Sequence, residues 1–241
     1  MFLLMEDLAE NYMKNNPGIS IRVEGGGSGT GFKALGEGKI DICSASRQIE
    51  PDEAKKLAEK YGAIGISFII AKDALSIYVN HNNPVKNLTT DQLEKIFTCS
   101  ITNWKEVGGE DEKIIPVIRP PNSGTHYYFK QHILNGAEYC ESAIVRPTTL
   151  SVIDYVEDNK NAIGYGGIGY LEDIVHAKVN GIEAIETNVI NDKYPISRYL
   201  YLYTINTPDG IVKQFIEWIL STEGQKVIKN AGYIPLWNIE F

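Results

Sequence analysis

The chain has 241 residues, 43% of them hydrophobic, enough to bury real cores without covalent staples. Its formal net charge is −8, and its Lys and Arg residues are scattered, so it lacks the basic footprint of a nucleic-acid-binding protein. No apolar run approaches the roughly 18 residues of a membrane-spanning helix, and the N-terminus turns acidic after Met5, which excludes an intact signal peptide within this chain. The three cysteines, Cys43, Cys99 and Cys140, are odd in number, widely spaced and without a CxxC pair. They predict small core residues, with neither a disulfide scaffold nor a structural zinc site.

Residues 5–15 read as a helix, with Leu8 and Tyr12 one turn apart and Pro17 beyond its end. ISIRVE (19–24) alternates as a strand does; after it come GGGSGTG, a helical FKALGEGK, and the short apolar strand IDIC. In EPDEAKKLAEKYG, Pro51 takes a first helical position, with acids in the first turn and lysines later, as the helix dipole favours. Residues 64–71 and 74–80 are two strand-like runs.

NLTTDQLEKIF opens with a capping box from Thr89 to Gln92, and ITNWKEVGG reads as a loop. IIPVIRP is a strand interrupted by prolines, PNSGTHYYFKQHIL a turn into a helix, 149–160 another helix and AIGYG a buried strand. SRYLYLYTI is a long strand, and the tail gives two helices, the second with a Thr222 to Gln225 capping box and Gly232 past its end. Strands alternating with helices predict an α/β protein on mostly parallel sheets. Crossings near residues 80 and 198 would divide it into a discontinuous first lobe (1–80 and 198–241) and a second lobe (81–197).

The tripeptide Ser-Gly-Thr occurs twice, at Ser28-Gly29-Thr30 and Ser123-Gly124-Thr125, each time between a strand and a helix. The first turn of a helix leaves backbone N–H groups unpaired at the positive end of the dipole, so an anion is its natural ligand. Glycine lets the backbone come close, and the hydroxyls add adjustable donors. One such loop is an ordinary helix cap; two, in different lobes, point to one anion held between them. Arg119, four residues before Ser123, offers a planar fork of charged donors, or else is a surface arginine on a proline-rich loop.

These segments, GGGSGTGFKAL, IDICSASR, TTDQLEKIFTCSITNWKEVGG, RPPNSGT, AIGYGGIGY and STEGQKVIKNAGYIPL, resemble the phosphate-binding proteins of bacterial phosphate ABC transporters over nearly the whole length. The resemblance implies a two-lobed type II periplasmic-binding-protein fold with mixed, mostly parallel sheets and a two-stranded hinge. It implies inorganic phosphate as ligand, a membrane permease as partner, an extracytoplasmic location and a monomer, with no cofactor or metal. Its site maps onto Ser28, Arg119, Ser123, Gly124 and Thr125, with Gly29 and Thr30 completing the first loop.

Two features depart from the family pattern. Where many members carry a proton-accepting aspartate, this sequence has Ser46, followed by Arg47. Both are candidate ligand groups, although Arg47 pairing with Glu50 or Glu53 is the equal alternative. The usual first strand and its donor loop are missing from this sequence, which opens inside the first helix.

Ser46 keeps sulfate or molybdate open as rival ligands, and a phosphate-sensing module would share the fold. A phosphatase would need a nucleophile with a base, or metal ligands; His81, His126, His132 and His176 form no HxH or HxxxH pattern, and no catalytic set emerges.

Overall fold

The computed structural model describes residues 1–170 and 174–238. The chain begins with helix α1 (Phe2–Asn15), α2 (Ser28–Glu37), strand β1 (Cys43–Ala45), α3 (Pro51–Tyr61) and β2 (Ile66–Val79). It continues through β3 (Asn87–Leu88), α4 (Thr90–Phe97), β4 (Ile115–Ile118), α5 (Gly124–His132), β5 (Ile144–Val145) and α6 (Thr149–Asp158). β6 (Ala162–Gly167), β7 (Val175–Val179), α7 (Glu186–Ile190), β8 (Ser197–Thr204), α8 (Gly210–Ile219) and α9 (Thr222–Asn230) complete it.

These elements form two compact units, one of Met1–Lys72, Asn122–Gly124 and Tyr199–Phe241, the other of Asp73–Pro121 and Thr125–Arg198. The division falls at 72/73 and 198/199, and the three residues Asn122–Gly124 go with the first unit. The two runs expected at 64–71 and 74–80 are one strand, β2, because the Lys72-Asp73 pair that interrupts the apolar pattern does not interrupt the backbone.

In the first unit, α1 turns Leu4, Leu8 and Tyr12 inward at a one-turn spacing, against Phe215 and Ile216 of α8, Ile228 of α9 and Leu200 and Leu202 of β8. Tyr12 meets Phe215 and Trp218 at ring-centroid distances of 5.1 and 5.3 Å. A second cluster joins Phe32 and Leu35 of α2 to Cys43 and Ala45 of β1 and to Tyr201 and Tyr203 of β8, which pairs antiparallel with β1. Residues 19–24 form no strand. Ile19, Ile21 and Val23 do turn toward the core as the alternation requires, but among the described residues no ladder partner accompanies them. α3 begins as expected, with Pro51 at its start and a reciprocal capping box between Glu50 and Glu53.

In the second unit, β2 pairs antiparallel with β6 and β7, while β4 runs parallel to β5 and β6 and β3 parallel to β7. Among the described residues the sheet of this unit is mixed, with three parallel and two antiparallel strand pairs. α6 lays Val152, Ile153 and Val156 on Tyr78, Val117 and Ala162 of the sheet. The Thr89 to Gln92 capping box is present, and ITNWKEVGG contains a 3-10 turn at Trp104–Val107.

Two expectations are corrected. α9 is capped by Ser221, whose hydroxyl accepts from the Gly224 amide. Gln225 cannot close the expected box with Thr222 because its side chain is buried, donating to the Ile70 and Ile219 carbonyls and accepting from the Leu236 amide. Cys99 and Cys140, expected as free core residues, form a disulfide with Cα atoms 5.2 Å apart. Their separation of 41 residues carries no local signature, and the odd total concealed a pair plus one free thiol, the buried Cys43. Burial pushes that thiol up to about 12.

Candidate functional site

In the first unit, α2 starts where Gly26 and Gly27 take positive φ values of 142° and 89°. A side chain at Gly27 would bring its Cβ to 2.7 Å from the Asn122 carbonyl, so glycine is what lets the two loops touch. Gly29 donates its amide to that same carbonyl at 3.1 Å, and Asn122 Nδ2 donates to the Gly26 carbonyl (2.8 Å) and to Thr30 Oγ1 (3.2 Å). Thr30 is exposed and its hydroxyl donates to the Gly26 carbonyl, which ties it into the loop.

Ser28 is buried and its Oγ accepts from the Ser46 amide at 3.1 Å. With a lone pair so occupied, the hydroxyl hydrogen is left to point at a ligand. Gly124 packs against both serines: a methyl group there would collide with Ser28 Oγ and lie 2.7 Å from Ser46 Oγ. Ser28, Ser46, Ser123 and Gly124, expected as ligand groups, are therefore buried neighbours within this unit.

Arg47 is buried too, but it is engaged. Its two terminal nitrogens grip Glu53 at 2.7 and 2.8 Å, Nη2 lies 3.1 Å from Glu50, and the guanidinium covers the Phe32 ring at 4.9 Å. Two carboxylates answer one cation here. Burial raises the Glu50 carboxyl above its ordinary value, with the Arg47 charge opposing.

The second unit carries the opposite imbalance. Arg119, partly buried at the end of β4, donates to Thr149 Oγ1 and the Pro147 carbonyl, both at 2.9 Å, and its buried Nε has no partner among the described residues. Arg198 of β8 is buried, donates twice to Asp73 Oδ2 at 2.8 and 2.9 Å, and donates to Thr125 Oγ1 at 3.1 Å. Burial lowers the Arg119 guanidinium from its ordinary value, and the nearby Arg198 charge adds to that. Arg119 remains a cation, since arginine keeps its proton in proteins. Thr125, like Ser28, has its oxygen engaged by a donor, which leaves its hydrogen for a ligand.

His126 Nδ1 lies 2.7 Å from the Arg119 carbonyl, and Tyr139 hydrogen-bonds the His126 carbonyl at 2.9 Å and the Tyr165 hydroxyl at 2.8 Å. These contacts hold the Arg119 loop to the aromatic stack of Phe129 on Tyr165, whose centroids are 4.1 Å apart. Sequence reasoning missed Asp73, Thr149 and Arg198. A signal existed: Asp73 and Arg198 are opposite charges set inside the apolar strands β2 and β8.

Glycine-rich helix starts presenting hydroxyls, together with partly neutralised buried arginines, define a class, an α/β protein built to bind a small anion. Residues 1–223 match the family model described as PBP superfamily domain. The chain is 34% identical over 238 residues to the phosphate-binding protein PstS of Bacillus subtilis, covering 96% of this chain and 76% of that one. It is 33% identical over 256 residues to the phosphate-binding protein PstS of Pseudomonas aeruginosa, covering 97% and 79%.

Among solved structures, a putative phosphate ABC transporter substrate-binding protein with bound phosphate from Clostridium perfringens superposes with a TM-score of 0.89 at 33% identity, covering 98% and 96% of the two chains. An ABC-type phosphate transport receptor from Vibrio cholerae gives 0.79 at 32% identity, covering 96% and 94%. The chain belongs to the periplasmic-binding-protein superfamily, within its family of phosphate-binding proteins.

Proposed function

We propose that this chain is the substrate-binding component of an ABC transporter, capturing inorganic phosphate and delivering it to a membrane permease outside the cytoplasm, as a monomer and without chemical conversion. The names of its relatives support that reading, and one structural observation carries it. In the second unit Asp73 answers Arg198, while the nearby Arg119 hydrogen-bonds only neutral groups and has no carboxylate partner among the described residues, which leaves the pair of arginines short of one negative charge. An anion supplies it.

In this reading the ligand groups are Arg119 and Thr125, together with Ser28, Ser46, Ser123 and Gly124. Gly29 and Thr30 shape the first loop, and Arg47, answered by Glu53 and Glu50, braces it rather than contacting the ligand. Charge-assisted hydrogen bonds contribute roughly 1.5–3 kcal/mol each, so half a dozen hold a dianion even on a chain of net charge −8.

Arg119→Ala tests this assignment. Loss of one or two such bonds lowers phosphate affinity by at least about tenfold, since each 1.4 kcal/mol is a factor of ten. A folded variant that binds phosphate as tightly as the parent would place the site elsewhere.

A further inference from the structure

Cys99 follows α4 at a position that helix ends usually give to glycine. Its φ is +60°, and its amide and the next two bond back to the Ile96 and Lys95 carbonyls. The other non-glycine residues with positive φ among the described ones are Asn135, Asn180 and Asp192, types that enter the left-handed region readily. A cysteine is more strained there than glycine would be, so its sulfur is the reason to keep it. Both cysteines of the Cys99–Cys140 bond line a cavity of about 610 Å³ in the second unit, with Tyr139 and Ser142 among its other walls. That volume falls within the roughly 300–1,000 Å³ of small-molecule sites. A disulfide sulfur carries no hydrogen, so Ser142 Oγ is the donor where it lies 3.0 Å from Cys140 Sγ and 3.7 Å from Cys99 Sγ.

We propose that Cys99–Cys140 is a redox site at which a dithiol entering this cavity opens the bond, and that the state of the bond sets how firmly Arg119 is held. A thiolate of the dithiol attacks Cys99 Sγ and forms a mixed disulfide; the S–S bond breaks and its electron pair leaves on Cys140 Sγ, where the Ser142 hydroxyl stabilises the new thiolate. The dithiol's second thiolate then attacks its own sulfur in the mixed disulfide and releases Cys99. The two protons given up by the dithiol end on the cysteines, and the dithiol, oxidised by two electrons, departs as a disulfide. Opening also lets Cys99 leave its left-handed conformation. The effect reaches the anion site through Tyr139, the neighbour of Cys140: its hydroxyl donates to the His126 carbonyl at 2.9 Å, and His126 Nδ1 lies 2.7 Å from the Arg119 carbonyl. The Cys140 amide still donates to the Phe97 carbonyl, so opening loosens this chain of contacts without abolishing it. The link to Arg119 rests on the phosphate-capture reading above; the redox site does not.

The test treats the folded, ligand-free parent with dithiothreitol, traps the new thiols with an alkylating reagent for mass analysis, and titrates the reduced chain with inorganic phosphate in a calorimeter. The expected result is labelling of Cys99 and Cys140 without denaturant while the buried Cys43 stays unlabelled, at a rate insensitive to low urea and at least about threefold slower in Ser142→Ala. Phosphate affinity falls at least about threefold on reduction and returns on reoxidation. In Tyr139→Phe, which lacks the linking hydroxyl, reduction leaves the affinity unchanged. A labelling rate that climbs steeply with urea means that the bond is reached only through unfolding, which overturns the proposal. So does a parent whose affinity ignores reduction, since the bond is then merely structural. Where the reduced chain does not stay folded, the labelling rates decide the redox site, and oxidised Tyr139→Phe decides the link to Arg119, by a phosphate affinity at least about threefold below the parent's or equal to it. A parent that binds no phosphate defeats the capture reading and the link to Arg119 with it, while labelling still judges the redox site.

Discussion

Gly124→Ala adds one methyl group at the start of α5. Gly124 does not use the left-handed region, so the backbone tolerates alanine, and alanine is otherwise the better helix former by up to about 1 kcal/mol. The methyl itself is the obstacle. It would overlap Ser28 Oγ and stand 2.7 Å from Ser46 Oγ and 2.9 Å from Ser28 Cβ, closer than non-bonded atoms approach a Cβ, so both serines must withdraw. Overpacking of this kind costs about 1–3 kcal/mol, which outweighs the helix gain. Because the serines displaced are proposed ligand groups, the loss appears in binding, a fall in phosphate affinity of about five- to 150-fold at 1.4 kcal/mol per decade. Calorimetric titration beside a thermal melt measures both parts. Parent-like affinity and an unchanged melting temperature would refute the packing of Gly124 on Ser28 and Ser46.

Other perturbations separate the roles assigned to the remaining groups. Reducing the Cys99–Cys140 bond, or replacing both cysteines by serine, releases a loop of 41-residue separation and lowers stability by up to about 4 kcal/mol on the chain-entropy account; an unchanged urea midpoint with and without reductant would contradict it. Arg47→Ala strands the Glu53 carboxylate and destabilises the fold by about 3 kcal/mol, while its effect on phosphate affinity stays smaller than that of Arg119→Ala. Equal losses of affinity in the two variants would show that Arg47 touches the ligand. Burial lowers the proton affinity of His126, His132 and His176, so the unfolded chain takes up protons first as pH falls below about 6.5. Their contribution is complete above that value and is lost on acidification; a melting temperature that is flat or rising from pH 7.5 to 5.5 would oppose the assignment.

Local patterns carried far in the sequence where the physics is local. The periodic face of α1, Pro51 opening α3 and the Thr89 to Gln92 box are visible because each depends on residues within one or two turns. Residues 19–24 show the boundary of that approach, since alternation fixes which side chains turn inward but a strand also needs a neighbour to receive its hydrogen bonds. The cysteine pair and the Asp73–Arg198 bond join positions 41 and 125 residues apart, and no local rule reports such a partner. Most of the site loops were legible because glycine before a helix has a reason to be there. The charge balance was not: Arg47 and Arg119 look alike in sequence, and only their partners separate a cation answered by two carboxylates from one left with spare donors.

The most direct test of anion capture is titration of the ligand-free chain with inorganic phosphate in a calorimeter at neutral pH, followed by the same titration of Arg119→Ala. One phosphate bound per chain, saturably, with affinity at least about tenfold weaker in the variant, is the expected result. Absence of binding to the folded parent would contradict the account.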